Sequence, residues 1–480
     1  MGTVGLNFGS ATSGQGFDVT STVNQIVTNL QAVETPWKTQ LTSLASKDTA
    51  LSSLGTQISA LSTDLQNLTD FSGAMTGKTG SSSDTSVLTG SITSSSAAVT
   101  GTYTVVVQNL AQNSSAATDS IGASDVLTGG ITFKVGSGDW QTVNAGDHST
   151  AMTLSGLMAA INQTELGVAA RVMTNADGTQ RLSITSETNG AAGQITIADS
   201  TNHPASPTNL ADSTTADPHT GLGLATIQDG KDAAMTVDGI PVTSASNTVT
   251  SAIAGLTLRL LSTGSTGSSS SPESIQVMIN NDTSSIETAI STFVTDYNTV
   301  IKAINAQEGK DSAGNPEPLY GNSILSRLQQ GLQSALSSAF GTKTINSLIS
   351  LGITANTAAD GTISLDTGAL SDALNNNFAQ VVSFFQDSGS FGSAFTSTLD
   401  SLGTSSSKGG AISLTQAEDS SQESMLNDNI TKQEALIATR KAALTLELNT
   451  ANQILQSIPS LIQQVDEMYS AITGYKSSNN

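Results

Sequence analysis

Two segments at opposite ends of the chain carry apolar residues at alternating steps of four and three, which is the spacing of a coiled-coil seam. In the N-terminal segment the step continues in one phase as far as Leu68. Its outermost seam residues are Val19, Val23, Ile26, Leu30 and Val33. A pattern held over such a length predicts long helices that must bury one face against another helix.

The C-terminal segment repeats this pattern. A one-residue phase slip extends its seam upstream to Leu426. The downstream seam residues are Leu448, Leu455, Ile458, Ile462 and Val465. Because each seam needs a cover, the simplest prediction is that the two terminal segments pack on each other and on assembly partners. The alternative is that each stripe is an ordinary core face of a bundle.

A proline lies in each seam and predicts a break in each helix. Pro36 fits the first position of a new helix, with Thr35 as its N-cap, so we expect two helices joined by a hinge. Pro459 is expected to interrupt the C-terminal helix in the same way. The outer helix, from Val19 to Glu34, is short enough to be marginal in water without a partner.

The middle of the chain changes to short β-branched runs between turn signals such as Asp177-Gly178 and Asp238-Gly239, typical of antiparallel strands. One amphipathic helix is expected near residues 154–161. The strand candidates are TYTVVVQNL (102–110), ITFKVGS (131–137), QRLSITSE (180–187), GQITIAD (193–199), AMTVDGIPV (234–242), LTLRLLS (256–262) and SIQVMIN (274–280). Residues 199–230 are expected to form a long loop.

Helical patterns return from about residue 283, with a small hairpin around Asp360-Gly361 and a helix through Phe378 and Phe385. The predicted fold class is therefore α+β and multidomain, with helices from both termini around mostly-β insertions. The predicted parts are a flexible terminal region (1–35 with 441–480), a helical leg domain (36–72 with 283–440), a first β domain (73–117 with 229–282) and a second, inserted β domain (118–228).

Composition excludes several classes of function. A formal net charge of −22 and a pI near 4.2 do not suit a phosphate backbone, so no nucleic-acid partner is expected. The chain has no cysteine, no stretch apolar enough to span a membrane, and no secretory signal pattern at its start. We therefore expect a cytosolic protein, or one exported without a cleaved signal.

Neither catalytic nor cofactor-binding residues are predicted. The chain lacks the common nucleophile, phosphate-loop and dinucleotide motifs, and His148, His203 and His219 fall in predicted loops. Asp360 and Asp366 lack the ligand spacing of a calcium loop, so no metal site is predicted either. No enzymatic activity is expected.

Several motifs are similar to the bacterial flagellar filament cap family, hook-associated protein 2. At the N-terminus these are Gly16-Phe17-Asp18-Val19 and Glu34-Thr35-Pro36. The middle and C-terminal motifs are residues 130–172 followed by 178–197, GKDAAMTVDGIPVTSASNTVTSAIAGLTLRLLS (230–262), Phe293-Val294, Asp296-Tyr297-Asn298, and LISLGITANTAADGTISLD (348–366). The chain resembles this family over nearly its whole length.

The resemblance implies a structural protein that forms a ring at the filament tip, retains exported flagellin and promotes its folding and insertion. It also implies export through the flagellar secretion channel to an extracellular location. The implied partners are further copies of the chain, flagellin, hook-filament junction proteins and an export chaperone. Two alternatives stay open: another axial component, either a junction protein or a flagellin, and a surface adhesin.

Overall fold

The computed structural model describes residues 16–144, 152–198, 221–264, 272–357 and 360–474. The chain divides into two compact units. The first comprises residues 1–70 and 287–480, and the second comprises residues 71–286. The N-terminal residues 1–15, the three histidines, most of the predicted 199–230 loop and residues 475–480 lie outside the described residues.

The helices in the described residues are α1 Val19–Gln31, α2 Thr35–Thr69, α3 Leu154–Gln163, α4 Thr283–Gln307, α5 Ser323–Ser337, α6 Thr367–Gln386, α7 Phe391–Leu402 and α8 Ala411–Thr473. The strands are β1 Lys78–Ser82, β2 Leu88–Ile92, β3 Gly101–Asn109, β4 Ser115–Ala117, β5 Ile121–Gly122, β6 Gly130–Val135, β7 Gln141–Asn144, β8 Val168–Thr174, β9 Thr179–Ser186, β10 Ile195–Ile197, β11 Ala225–Gln228, β12 Ala233–Val237, β13 Ile240–Ser244, β14 Thr248–Ile253, β15 Leu256–Leu260, β16 Ser274–Asn281, β17 Ile353–Ala355 and β18 Ile363–Leu365.

The first unit is built around α2, whose apolar stripe is buried by α6, α7 and α8. Every apolar position that the sequence pattern predicts from Leu44 to Leu68 is buried. A cluster of phenylalanines fills the adjoining core, where Phe391 lies 5.2 Å from Phe395 and 5.0 Å from Phe384 between ring centroids. This part of the core follows directly from the heptad spacing of α2.

The second unit contains two separate apolar cores. The first lies between a five-stranded antiparallel sheet, ordered β1-β16-β3-β12-β13, and a three-stranded sheet, ordered β14-β15-β2. Val105, Met235 and Val277 come from the larger sheet, while Val249 and Leu258 come from the smaller one. Strand alternation explains this arrangement, because every second residue points to the same face.

The second core belongs to the chain between β3 and β12. Here β10-β6-β7 form one sheet, β11-β4-β9-β5 form another with β8 added to β9, and α3 packs beside β8. Its centre includes Phe133, Leu157, Ile161 and Ile184. The predicted strands, the amphipathic helix and the hairpin of β17 and β18 are all present.

Candidate docking surface on the terminal helices

Helix α1 is held on α8 by a small apolar cluster. Val19, Val23 and Val27 are buried together with Ile437 of α8, and Leu30, Leu444 and Leu448 pack around them with Phe17. Asp18 caps α1, because its carboxylate accepts a hydrogen bond of 3.1 Å from the Ser21 amide. The predicted pairing of the two termini is thus present between α1 and the middle of α8.

The two ends of the chain run antiparallel. The Phe17 amide donates to Asn452 Oδ1 at 2.8 Å, Lys38 Nζ lies 3.9 Å from Glu434, and Gln416 Nε2 donates to Ser52 Oγ at 3.0 Å. Successive contacts along α1 and α2 therefore move steadily backwards along α8. The N-terminus of α1 reaches only to about residue 452 of α8.

The outer seam departs from strict heptad spacing. Ile26 and Leu30 are half-buried, whereas Val27 is fully buried and Val33 is 52% exposed. Glu34 takes the inward position next to Val33 and is only 1% exposed. The buried side of α1 thus repeats every four residues at Val19, Val23 and Val27, as in a straight helix packed over a short contact.

The joint between α1 and α2 differs from the predicted one. Residues Ala32–Glu34 form one turn of 3-10 helix, and the chain keeps helical dihedral angles through Thr35. The prediction that Thr35 is the N-cap is therefore wrong, since Glu34 precedes the first residue of α2. Pro36 does lie in the first turn of α2. An amide in the first turn has no acceptor within its own helix, so α2 loses no hydrogen bond through the missing amide proton of proline. Its action as a hinge stays a prediction.

Glu34 carries a buried charge at this joint. Lys38 Nζ donates to Glu34 Oε2 at 2.9 Å, while Glu34 Oε1 has no hydrogen-bond partner among the described residues. The hydrogen bond to Glu34 and the attraction of the carboxylates of Glu34 and Glu434 raise the pKa of Lys38. A lysine held in this way keeps its charge and provides the counterion for a carboxylate that has lost most of its water.

Beyond residue 452, α8 extends past the end of α1. The predicted docking residues divide at this point: Leu448 packs on α1, Leu455 and Ile458 are half-buried, and Ile462 and Val465 are exposed. The predicted interruption at Pro459 is wrong, because α8 continues through it to Thr473. A proline removes a single main-chain hydrogen bond, and the helix tolerates that loss here.

The extension of α8 also carries an exposed apolar stripe, of which the sequence reasoning assigned Val465 to the predicted seam and did not single out Ile454, Leu461 or Met468. Its exposed members are Ile454, Leu461, Val465, Met468 and Ile472. Their spacing places them along one side of the helix, adjoining Leu455 and Ile462, so the apolar face of this segment is broad. We call residues 454–472 the α8 extension. A helix segment with a broad, exposed apolar face is suited to lie between partners rather than beside water.

The described residues show neither a metal-binding cluster nor a membrane-spanning helix. Within these ranges no cluster of three or more histidine, aspartate or glutamate side chains could hold an ion. No helix in the part of the chain that the structure describes is long and apolar enough to cross a membrane.

Comparison with known proteins identifies the family. The family model for the C-terminus of flagellar hook-associated protein 2 matches residues 230–469, which is half of the chain, and the model for its N-terminus matches residues 15–114. The chain belongs to the flagellar hook-associated protein 2 family. Both matched regions include one of the terminal helices that form the docking surface.

Relatives and solved structures agree with this assignment. The B-type flagellar hook-associated protein 2 of Pseudomonas aeruginosa is 28% identical over 400 residues, covering 79% of this chain and 80% of the relative. The protein of Escherichia coli K12 is 27% identical, covering 81% and 84%. The D1-D2-D3 domains of the Escherichia coli flagellar cap protein match in fold with a TM-score of 0.53 at 24% identity, covering 77% of this chain and 99% of that structure.

These comparisons favour a flagellar filament cap protein over the two alternatives, another axial component and a surface adhesin. The mixed fold agrees with the same match, since helical termini flank a mostly-β middle. A structural role in the flagellum also agrees with the exposed apolar surface of the α8 extension, because such a role needs a packing surface and not a polar cleft.

Proposed function

We propose that this protein caps the tip of the flagellar filament, and that the α8 extension attaches it there by packing between helices of the terminal filament subunits. The observation that carries this proposal is the exposed apolar stripe from Ile454 to Ile472, which no described residue covers. Covering five large apolar side chains recovers about 1.5 kcal/mol or more for each one that becomes fully buried. A single unpaired helix therefore gains its main stabilisation from the filament.

In this proposal the cap retains flagellin that leaves the export channel, lets it fold beneath a ring of cap subunits, and then moves as the subunit is inserted. Its partners are other copies of the chain, flagellin, the hook-filament junction proteins and an export chaperone. Its location is extracellular, at the flagellum tip, after export without a cleaved signal peptide. Membership of the flagellar hook-associated protein 2 family supports the capping role and the location on the flagellum.

The four-part division of the chain belongs to the same proposal. Residues 1–35 and 441–480 dock into the filament, 36–72 and 283–440 form the leg, and 73–117 with 229–282 and 118–228 form the plate. Two separate cores within residues 71–286 support the division of the plate. The boundary at residue 440 falls inside α8, so the leg and the docking segment share one helix.

The decisive experiment changes the exposed stripe alone. In a host lacking the gene, the double variant Leu461→Ser, Met468→Ser should release abundant monomeric flagellin and leave short filaments, whereas the wild-type chain restores normal length. Both side chains are exposed, so the purified variant should keep its thermal stability. The matched control is Gln463→Ser, Gln464→Ser, which places the same residues on other exposed positions of the segment.

Normal filaments and a labelled cap at every tip in the Leu461→Ser, Met468→Ser strain would refute attachment through this stripe. Loss of capping in the control as well would show that any change to the segment is harmful, and the stripe would then have no special role.

A further inference from the structure

The small hairpin of β17 and β18 has one closed edge and one open edge. Between the strands, the Asn356 amide donates to the Thr362 carbonyl and the Asp366 amide donates to the Gly352 carbonyl. On the outer side of β18, Asn298 of α4 closes the edge, donating to the Ile363 carbonyl at 2.7 Å and accepting from the Ile363 amide at 2.8 Å. A side chain thus takes the place of a further strand.

On the outer side of β17 nothing equivalent is present. Strand alternation directs the amide and carbonyl groups of Ile353 and Ala355 away from β18, because residues 352, 354 and 356 are those paired with it. Neither Ile353 nor Ala355 makes a hydrogen bond through these groups to any described residue. Ala355 is exposed, so the open edge is accessible.

An apolar cavity of about 410 Å³ lies against the inner face of the same hairpin. Leu336 of α5, Leu348, Ile349 and Ile353 contribute to its lining, and Tyr297 forms part of its wall, with its hydroxyl donating to the Gly361 carbonyl. Ile349 is 72% exposed at the rim although it is large and apolar. Backbone groups without partners therefore adjoin a hollow that fits an aliphatic side chain.

We propose that the open edge of β17 and this cavity form a binding site for an extended polypeptide segment, which adds a strand beside Ala355 and inserts an aliphatic side chain into the cavity. This mode of recognition draws its affinity from main-chain hydrogen bonds and its preference from a pocket for alternate side chains. In an antiparallel addition, the residue opposite Ala355 points its side chain to the same face, toward the cavity.

The size of the site argues for a transient occupant. β17 has three residues, two of which present outward groups, whereas a lasting interface between two folded proteins buries about 800 Å² on each side. A second copy held permanently is therefore a poor fit. The occupant that suits the site is an unfolded segment of a newly exported subunit, a conclusion that rests on the proposed function.

The test uses the purified full-length chain and a fluorescein-labelled peptide of alternating Thr and Ile, five residues long with a lysine at each end, followed by fluorescence anisotropy. We expect weak, saturable binding. N-methylation of the isoleucine amides should abolish binding, because these amides face β17 in the bound strand. N-methylation of the threonine amides should leave binding intact, because they face away.

Variants of the protein test whether the peptide binds at the open edge of β17. Ala355→Pro removes an outward amide proton without removing a hydrogen bond of the hairpin, and should weaken binding about three- to ten-fold. Ile349→Ser should weaken it further by changing the rim. Ser364→Ala, which is exposed and lies outside the cavity lining, is the control and should bind as the wild type does. Equal binding of the peptide methylated on isoleucine, or no saturable binding at millimolar concentration, would overturn the proposal.

A cell experiment separates this site from attachment at the tip. In the deletion host, Ala355→Pro should keep a labelled cap on the filament yet release more flagellin into the medium, while the Leu461→Ser, Met468→Ser variant loses the cap itself. If Ala355→Pro weakens peptide binding as expected but flagellin release stays at the wild-type level, the site does not act on exported subunits. If both variants keep the cap at the filament tip, the proposed attachment through the α8 extension is refuted.

Discussion

At the scale of single residues, the buried carboxylate of Glu34 explains the Glu34-Thr35-Pro36 motif in physical terms. Glu34 sits where the 3-10 turn meets α2, and Lys38 supplies its counterion from one helical turn away. A carboxylate shielded from water is costly unless it is paired. The ion pair with Lys38 therefore offsets part of the free-energy cost of burying the Glu34 carboxylate at this joint.

Removing the counterion tests this account. Lys38→Met should lower the thermal midpoint of the helical unit, because Glu34 would stay buried without a partner. The double variant Glu34→Gln, Lys38→Met should recover part of the loss, since a neutral amide needs no counterion. Circular dichroism on both variants measures the difference, and a double variant less stable than Lys38→Met alone would contradict the argument.

Asp64 of α2 and Asp296 of α4 form a second unusual pair. Asp64 Oδ2 finds no hydrogen-bond donor among the described residues, because the group that faces it is another carboxyl. Burial, and then the hydrogen bond and repulsion from Asp296, raise the pKa of Asp64 from 3.8 to about 6. When Asp64 is protonated, its carboxyl group donates to Asp296 and the repulsion between the two groups is removed.

The sign of the resulting pH dependence follows from linkage. Between about pH 4 and pH 6 the folded chain holds a proton that the unfolded chain releases, so stability falls as pH rises through this window and then levels off. Asp64→Asn should flatten that fall and stabilise the protein at pH 7. Thermal melts at half-unit pH steps measure it, with exposed Asp372→Asn as a control; an unchanged slope would refute the raised pKa of Asp64.

At the scale of elements, prediction succeeded where periodicity and burial coincide, as in α2 from Leu44 to Leu68. It missed strands such as β1 (KTGSS) and β2 (LTGSI), which have few β-branched or aromatic residues. These segments become strands because β16 and β15 offer them complete ladders of hydrogen bonds. Such pairing is a property of the sheet, and local composition does not report it.

The sequence pattern predicted only part of the candidate docking surface on the terminal helices. The pattern correctly placed Val19 and Val23 beside the C-terminal helix, but it could not show where that contact ends. The boundary depends on the antiparallel register, which puts Phe17 beside Asn452 and leaves Ile462 and Val465 without cover from the described part of the chain. A register between two distant segments is set by tertiary contacts such as the Lys38–Glu434 approach, and no local spacing encodes it.

Helix α1 is predicted to detach without disturbing the rest of the molecule. It has 13 residues and three buried valines, so the contact with α8 supplies most of its stability. Val23→Ser with Leu30→Ser should speed amide exchange across Val19–Gln31 by at least about ten-fold, while exchange in β3 and β16 stays the same. Exposed Asn24→Ser with Asn29→Ser is the matched control. Unchanged protection of α1 would show that it does not depend on these contacts.

At the scale of the whole molecule, like charges oppose assembly. The chain carries 39 acidic and 17 basic residues, a net charge of −22, so copies that approach one another repel at low ionic strength. Apolar contacts such as those of the α8 extension are indifferent to salt at this level, whereas the repulsion is screened within about 10 Å at 0.1 M salt. Self-association should therefore strengthen from about 20 mM to 300 mM NaCl.

Sedimentation velocity at fixed protein concentration measures the fraction of oligomer, with sucrose of equal osmolality as the control. Weaker association at higher salt would contradict this argument. It would mean that opposite charges pair across the interface between copies, and that electrostatic attraction rather than apolar contact drives assembly.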